Sequence, residues 1–223
     1  MTRGPSSWYQ VLSLFGTPTR PRRGRDGEQR WSSPSDWDYL DLRLPRKTSL
    51  LLVCPKAQHV DWWQAQDSLP LDVAVLCAPL PADRRALPVL EVLCRQASAT
   101  IFVGDMDPFS IVQYVETRRM LAGVGARLLH GGVNDAWLEA MKRALSQEGR
   151  LERLRIPLEK HEVRLLKKLD RAVDLEKLIG ARGSAMLHSG YKIEIEGATN
   201  PAIYRRSHSR WVFKYLRSRT KEE

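Results

Sequence analysis

Residues 99–120 read ATIFVGDMDPFSIVQYVETRRM, and the fold follows from this stretch. Ile101–Val103 is a short, apolar, largely β-branched run that ends at Gly104. Asp105 and Asp107 follow with one residue between them, and Pro108 opens a segment of helical periodicity. Proline is tolerated in the first turn of a helix, where its missing N–H would have had no partner. Ile111, Tyr114 and Val115 recur at the i, i+3, i+4 spacing of a buried helix face. The pattern is strand, acidic loop, helix, with a helix predicted over Pro108–Ala122. Asp105 and Asp107 therefore fall at the carboxyl end of a parallel strand, the edge of an open α/β sheet where ligands bind.

Two carboxylates this close repel each other unless a cation or a shared proton intervenes. Magnesium suits such a pair, because it takes one or two carboxylates, keeps several waters and acts on phosphate substrates. The same residues also suit a helix cap, since a helix amino terminus welcomes negative charge.

Outward from this stretch the same rhythm repeats. Ser49–Cys54, Val73–Cys77, Ile101–Val103 and Arg127–Leu129 are four short apolar runs, each a predicted strand. Helices are predicted over Val60–Gln66, Asp83–Gln96, Pro108–Ala122 and Asn134–Ser146. Strands alternating with helices imply βαβ units and a mostly parallel sheet. No internal repeat and no glycine-rich phosphate loop interrupts the pattern, and Gly131-Gly132 reads as a turn.

The ends differ from the middle. Residues 1–47 hold one apolar patch, Trp8–Phe15, followed by a stretch dense in Pro, Gly, Ser and Arg that reads as a flexible basic arm. Residues 48–150 form the α/β core, and 151–223 a mainly helical region with a basic, aromatic tail. Within the latter, Val163, Leu166, Leu169 and Val173 share a predicted helix face. The tail from Tyr204 carries seven Lys or Arg, with Tyr204, Trp211, Phe213 and Tyr215 interleaved. Such a tail either stacks on bases or docks its aromatics on the core as an amphipathic helix.

The net charge of +10 is unevenly placed. Lys and Arg against Asp and Glu number 9 and 5 in residues 1–50, 7 and 10 in 51–140, and 20 and 11 in 141–223. A basic periphery around an acidic centre suits a protein that grips a phosphate backbone. No apolar run reaches the length of a membrane span, and the amino terminus lacks the apolar core of a secretory signal. Cys54, Cys77 and Cys94, spaced 23 and 17 apart, match neither a zinc site nor a disulfide framework, which points to a reducing interior. The five histidines match no zinc spacing.

Several segments in order resemble the Toprim domain of the topoisomerase VI A subunit, of its meiotic double-strand-break relative and of the nuclease subunit of Wadjet plasmid-defence systems. FVGDMDPFSIVQY is similar to that family's Gly-Asp-x-Asp-Pro signature and following helix. VAVLCAPLPADRRALPVLEVL resembles its strand, loop and helix with a proline before a basic pair. IPLEKHEVRLLKKL resembles the helix entering the carboxy-terminal region, and LHSGYKIEIEGA the closing motif. The resemblance covers roughly residues 48–200.

It implies a Toprim-like four-stranded, mostly parallel sheet flanked by helices, with a helical basic carboxy-terminal extension. By the same resemblance Asp105 and Asp107 match the divalent-metal and catalytic aspartates, with Mg²⁺ as the weakly held cofactor. Arg84 and Arg85 match the basic pair beside the site, and Lys192, Glu194 and Glu196 the closing motif. Arg205, Arg206, Arg210 and Lys214 in the tail join Arg84, Arg85 and Lys192 as candidate DNA contacts. Two departures weigh against catalysis. The family's first-strand glutamate is replaced by Cys54 or Pro55, and residues 1–47 are too short for the winged-helix domain that carries the nucleophilic tyrosine.

Three functions remain open at the level of sequence. The expected one is a degenerate Toprim-like DNA-binding subunit of a multi-protein DNA-processing complex, resembling topoisomerase VI or Wadjet assemblies. Such a subunit would be cytoplasmic and associated with the nucleoid or nucleus, with DNA and other protein subunits as partners and no membrane. The second is a Mg²⁺-dependent hydrolytic DNA nuclease that uses Asp105 and Asp107, with a further acid from Asp61, Asp83 or a partner. The third is a protein-interaction scaffold without chemistry.

Overall fold

The computed structural model describes residues 11–15, 44–56, 70–82, 86–145, 154–195 and 209–221. The chain divides into two compact units, one of Met1–Phe102 with Glu116–Leu129, the other of Val103–Val115 with His130–Glu223.

The first unit is built on a sheet. Its strands are β1 (Val11–Ser13), β2 (Leu50–Cys54), β3 (Val73–Cys77), β4 (Ala99–Phe102) and β5 (Leu129–His130), hydrogen-bonded in the order β1-β3-β2-β4-β5. Counted from β2, the four main strands form a parallel sheet of order 2-1-3-4 with flanking helices, as the alternating pattern requires. Leu50 pairs with Val73 on one side and Ala99 on the other, and Cys54 lies opposite Cys77. Every residue of β2 and β3 is buried. Continuous apolar strands of this kind are what a parallel sheet covered on both faces demands, and each buried leucine or valine stabilises the fold by about 1.5–3 kcal/mol.

One strand lies outside the expected set. Val11–Ser13, within the apolar patch of the amino-terminal arm, runs parallel to β3 with Val11 opposite Val75. The predicted helix over 60–66 and most of the arm lie outside the described residues.

Helix α1 (Ala86–Cys94) follows β3 and buries Ala86, Val89, Leu90 and Leu93, one apolar stripe at helical spacing. Helix α2 spans Pro108–Ala122, as predicted. Its buried side is Ile111, Tyr114, Thr117 and Leu121, whereas Val115 is only half-buried.

The second unit contains helices α3 (Asp135–Leu145), α4 (Lys160–Leu169), α5 (Leu175–Ile179), α6 (Ala181–His188) and α7 (Ser209–Arg219), and an antiparallel pair, β6 (Ile156–Pro157) with β7 (Tyr191–Lys192). Helix α7 places two of the tail's four aromatics, while Tyr204 and the side chain of Trp211 lie outside the described residues. Val212, Phe213, Tyr215 and Leu216 are buried. The Tyr215 hydroxyl donates to Asn134 Oδ1 at 3.0 Å, and its ring meets Trp137 edge-on at 5.2 Å. Phe213 and Tyr215 are core residues and offer no face to a base.

Helix α4 also departs from its expected face. Leu166 and Leu169 are buried, but the third inward position is Glu162, and Val163 is 37% exposed. A charge replaces an apolar side chain there because it has partners, described below. Among the described residues, no helix is long and apolar enough to cross a membrane.

Candidate functional site

The acidic loop is held by backbone amides. Asp107 stands just before α2, and its Oδ1 accepts the Ser110 amide at 2.6 Å, the bond an N-cap makes to the third helical residue. Pro108 fills the first helical position, where no amide is needed. The Ser110 hydroxyl in turn accepts the Asp105 amide at 3.1 Å, so the loop closes on the helix it starts. Asp105 is fully buried and Asp107 is 5% exposed.

The rest of the loop is tied to the residues that follow β7. Met106 and Ile193 exchange backbone hydrogen bonds, the Met106 amide donating at 3.0 Å and the Ile193 amide at 3.3 Å. One step on, the Ile195 amide donates to Asp105 Oδ1 at 2.8 Å. The structure thus brings the Asp-x-Asp loop and the 192–195 stretch together, and the joint is main chain on one side. On the other flank the Val133 amide donates to the Gly104 carbonyl at 3.0 Å. Gly132 lies so close that a Cβ there would stand 2.5 Å from the same oxygen. The Gly131-Gly132 pair is therefore more than a turn: it admits a close approach of two backbones.

Lys192 occupies a different micro-environment. Its ammonium contacts Glu162 Oε1 at 2.9 Å and Glu194 Oε1 at 3.3 Å, and the Lys192 and Glu162 side chains are 12% and 4% exposed. Glu162 Oε2 accepts the Glu159 amide at 2.8 Å, completing a capping box at the start of α4. Burial alone would raise the Glu162 carboxyl, but the Glu159 amide and the Lys192 ammonium outweigh it and hold the pKa below the ordinary value. Burial would likewise lower Lys192, and the two carboxylates outweigh it and push the pKa up. The lysine's charge is matched inside the protein.

A second carboxylate grips a helix start. Asp135, the first residue of α3, accepts the Arg182 amide at 2.9 Å and the Gly183 amide at 2.7 Å, capping α6 from a neighbouring helix. Gly180, at φ +87°, leaves room for that carboxylate, which a Cβ would displace. Nothing in the sequence pattern marks this contact, because its donors are backbone.

Whether the aspartates fit a magnesium ion turns on their remaining capacity. Mg²⁺ keeps several waters and demands near-octahedral oxygen geometry. Asp105 and Asp107 are both buried, and each already accepts a backbone amide on Oδ1. Among the described residues no three His, Cys, Asp or Glu side chains gather where they could hold a metal. The two amides take Oδ1 of each carboxylate, and the described residues bring no third acidic, histidine or cysteine ligand beside them. Cys54 ends β2 fully buried. Burial, aided by a hydrogen bond with Cys54, pushes the Cys77 thiol well up, and burial pushes Cys94 to about 11 despite a hydrogen bond from Thr100. Cys77 and Cys94 are therefore protonated thiols rather than nucleophiles.

Arg84, Arg85, Asp61, Asp83, Glu196, Arg205 and Arg206 lie outside the described residues, as does the side chain of Arg210. Lys214 is exposed on α7. Sequence reasoning did not single out Lys160, Arg164, Lys167 and Lys168, all exposed on α4, with Arg171 exposed just beyond it. Their helical spacing was visible, but the resemblance drew attention to other cations.

The chain matches no known protein family, and no curated protein matches it. The Toprim resemblance therefore rests on the motif residues themselves.

Proposed function

We propose that this chain is a non-catalytic, Toprim-like nucleic-acid-binding module that works as a subunit of a multi-protein DNA-processing assembly. The observation that carries this reading is the use of the two aspartates. In a metal-dependent phosphoryl-transfer site, carboxylates hold an ion against the scissile phosphate. Here Oδ1 of Asp105 and Oδ1 of Asp107 are already engaged by the Ile195 and Ser110 amides, and both side chains are buried, which supports a structural use of the pair. The exposed cations of α4 supply a surface for phosphate, while Lys192, already paired with two carboxylates, does not.

The test is gel shift and cleavage of supercoiled plasmid by the purified chain with Mg²⁺, with Mn²⁺ and with chelator, wild type beside Asp105→Asn/Asp107→Asn. The amide side chains keep an acceptor oxygen for Ile195 and Ser110 and remove the charge a metal needs. The expected result is binding without nicking, unchanged by chelator, with log K falling about 0.9 per phosphate neutralised for each tenfold rise in salt. Metal-dependent nicking lost in the double variant would make the chain a nuclease. Failure to bind DNA at low salt would make it a protein scaffold.

A further inference from the structure

We infer that Phe109 and His161 form a stacking platform for unpaired bases, so that the ligand of this chain is single-stranded DNA; the inference rests on the nucleic-acid reading above and narrows it. Phe109 is the second residue of α2 and is 47% exposed, although Pro108 before it and Ser110 after it are buried. Its exposure is not that of a frayed end, because the Asp107 cap fixes this turn. A large aromatic side chain held in water at a fixed point forgoes the burial such side chains ordinarily gain.

Among the described residues, His161 is its ring neighbour. His161, in the first turn of α4, meets Phe109 with ring centroids 5.4 Å apart and planes at 60°. The imidazole is itself about half exposed, and its Nδ1 lies 3.2 Å from Glu159 Oε2. An edge-to-face pair fixes both rings while leaving ring face open, and planar bases stack on such faces.

The charge beside the rings selects the ligand. From His161, the positions i+3 and i+7 on α4 are Arg164 and Lys168, Arg171 follows in the turn after the helix, and all three are exposed. Lys160 and Lys167 flank them, also exposed. Against these stand the exposed carboxylates Glu159, which holds the imidazole edge, and Asp170, which lies 3.0 Å from His188 Nε2. Aromatic faces joined to a row of cations are the pairing that holds single strands, the cations following the backbone and the rings taking bases. A duplex hides its base faces within its own stack and can use only the cations.

The experiment is fluorescence anisotropy of the full chain with labelled oligothymidine of about 30 nucleotides, longer than the ~4–16 a binding groove covers, and with a duplex of equal length. Wild type is compared with Phe109→Ala/His161→Ala and with Arg164→Gln/Lys168→Gln, each checked for an unchanged thermal melt. The single strand is expected to bind more tightly. The ring variant should lose about tenfold or more on the single strand and leave duplex affinity unchanged. The charge variant should weaken both and lower the salt slope by about two. Equal binding of both DNAs with no effect of the ring variant would overturn the platform while leaving the DNA-binding function standing. Absence of binding to either DNA would overturn both and assign the patch to a protein contact.

Discussion

The Asp105 carboxylate accepts the amide of Ile195, 90 positions away, at 2.8 Å inside the protein. Asp105→Ala removes the acceptor and leaves a buried amide unsatisfied, so stability is expected to fall by about 1–3 kcal/mol in urea denaturation. Asp105→Asn, which keeps an oxygen there, should lose much less. A carboxylate pair waiting for a cation would respond in the opposite sense, since deleting one of two repelling charges stabilises the metal-free state.

Lys192→Met leaves the Glu162 carboxylate buried without its cation, and a loss of about 3–5 kcal/mol is expected. Lys192→Met/Glu162→Gln, which keeps an oxygen for the Glu159 amide and removes the unpaired charge, should recover most of it. The pair also fixes a pH window. Glu162 titrates below its ordinary 4.5 in the folded state, so its contribution is present above 4.5 and is lost as pH falls through the folded pKa. Lys192 titrates above 10.5, so its contribution is present below 10.5 and is lost as pH rises through the folded pKa. Urea midpoints measured against pH should show both losses in the wild type and neither in the double variant.

Burial, with the charge of Arg219 adding to it, pushes His130 down to about 3 from an ordinary 6.5. The unfolded chain therefore takes up a proton first as the medium is acidified. Below pH 6.5 stability should fall by up to about 1.4 kcal/mol per pH unit from this group alone. His130→Gln should flatten that slope, which is the quantity to compare, whatever its effect on the plateau at neutral pH.

Gly132→Ala places a methyl group 2.5 Å from the Gly104 carbonyl oxygen and 3.0 Å from its nitrogen. Both neighbours are backbone, so the main chain must move. The expected loss is about 1–3 kcal/mol. Hydrogen exchange at the Val133 amide, which donates to that carbonyl, should quicken more than exchange in β2.

The sequence was legible where one element carries its own signal. β2 and β3 are unbroken apolar runs, and buried parallel strands leave that trace. Both ends of α2 were readable because Asp107-Pro108 starts it and Gly123 follows Ala122. β1 and β7 were not, because two or three residues paired by their backbones carry no period. The inward turn of Glu162 escaped because its partner Lys192 is 30 positions away. The amide contacts of Asp105 and Asp135 escaped for a related reason: their donors are peptide amides, which every residue but proline possesses.

The antiparallel joint between the acidic loop and residues 193–195 also sets an order in time. Translation adds about 5–20 residues per second, so Asp105 exists for roughly 5–20 s before Ile195, 90 positions later, is made. β2, β3 and β4, all encoded between residues 50 and 102, can pair while the nascent chain is still growing. The loop that follows them has to wait for residues 193–195, and until then the Asp105 carboxylate lacks its Ile195 donor.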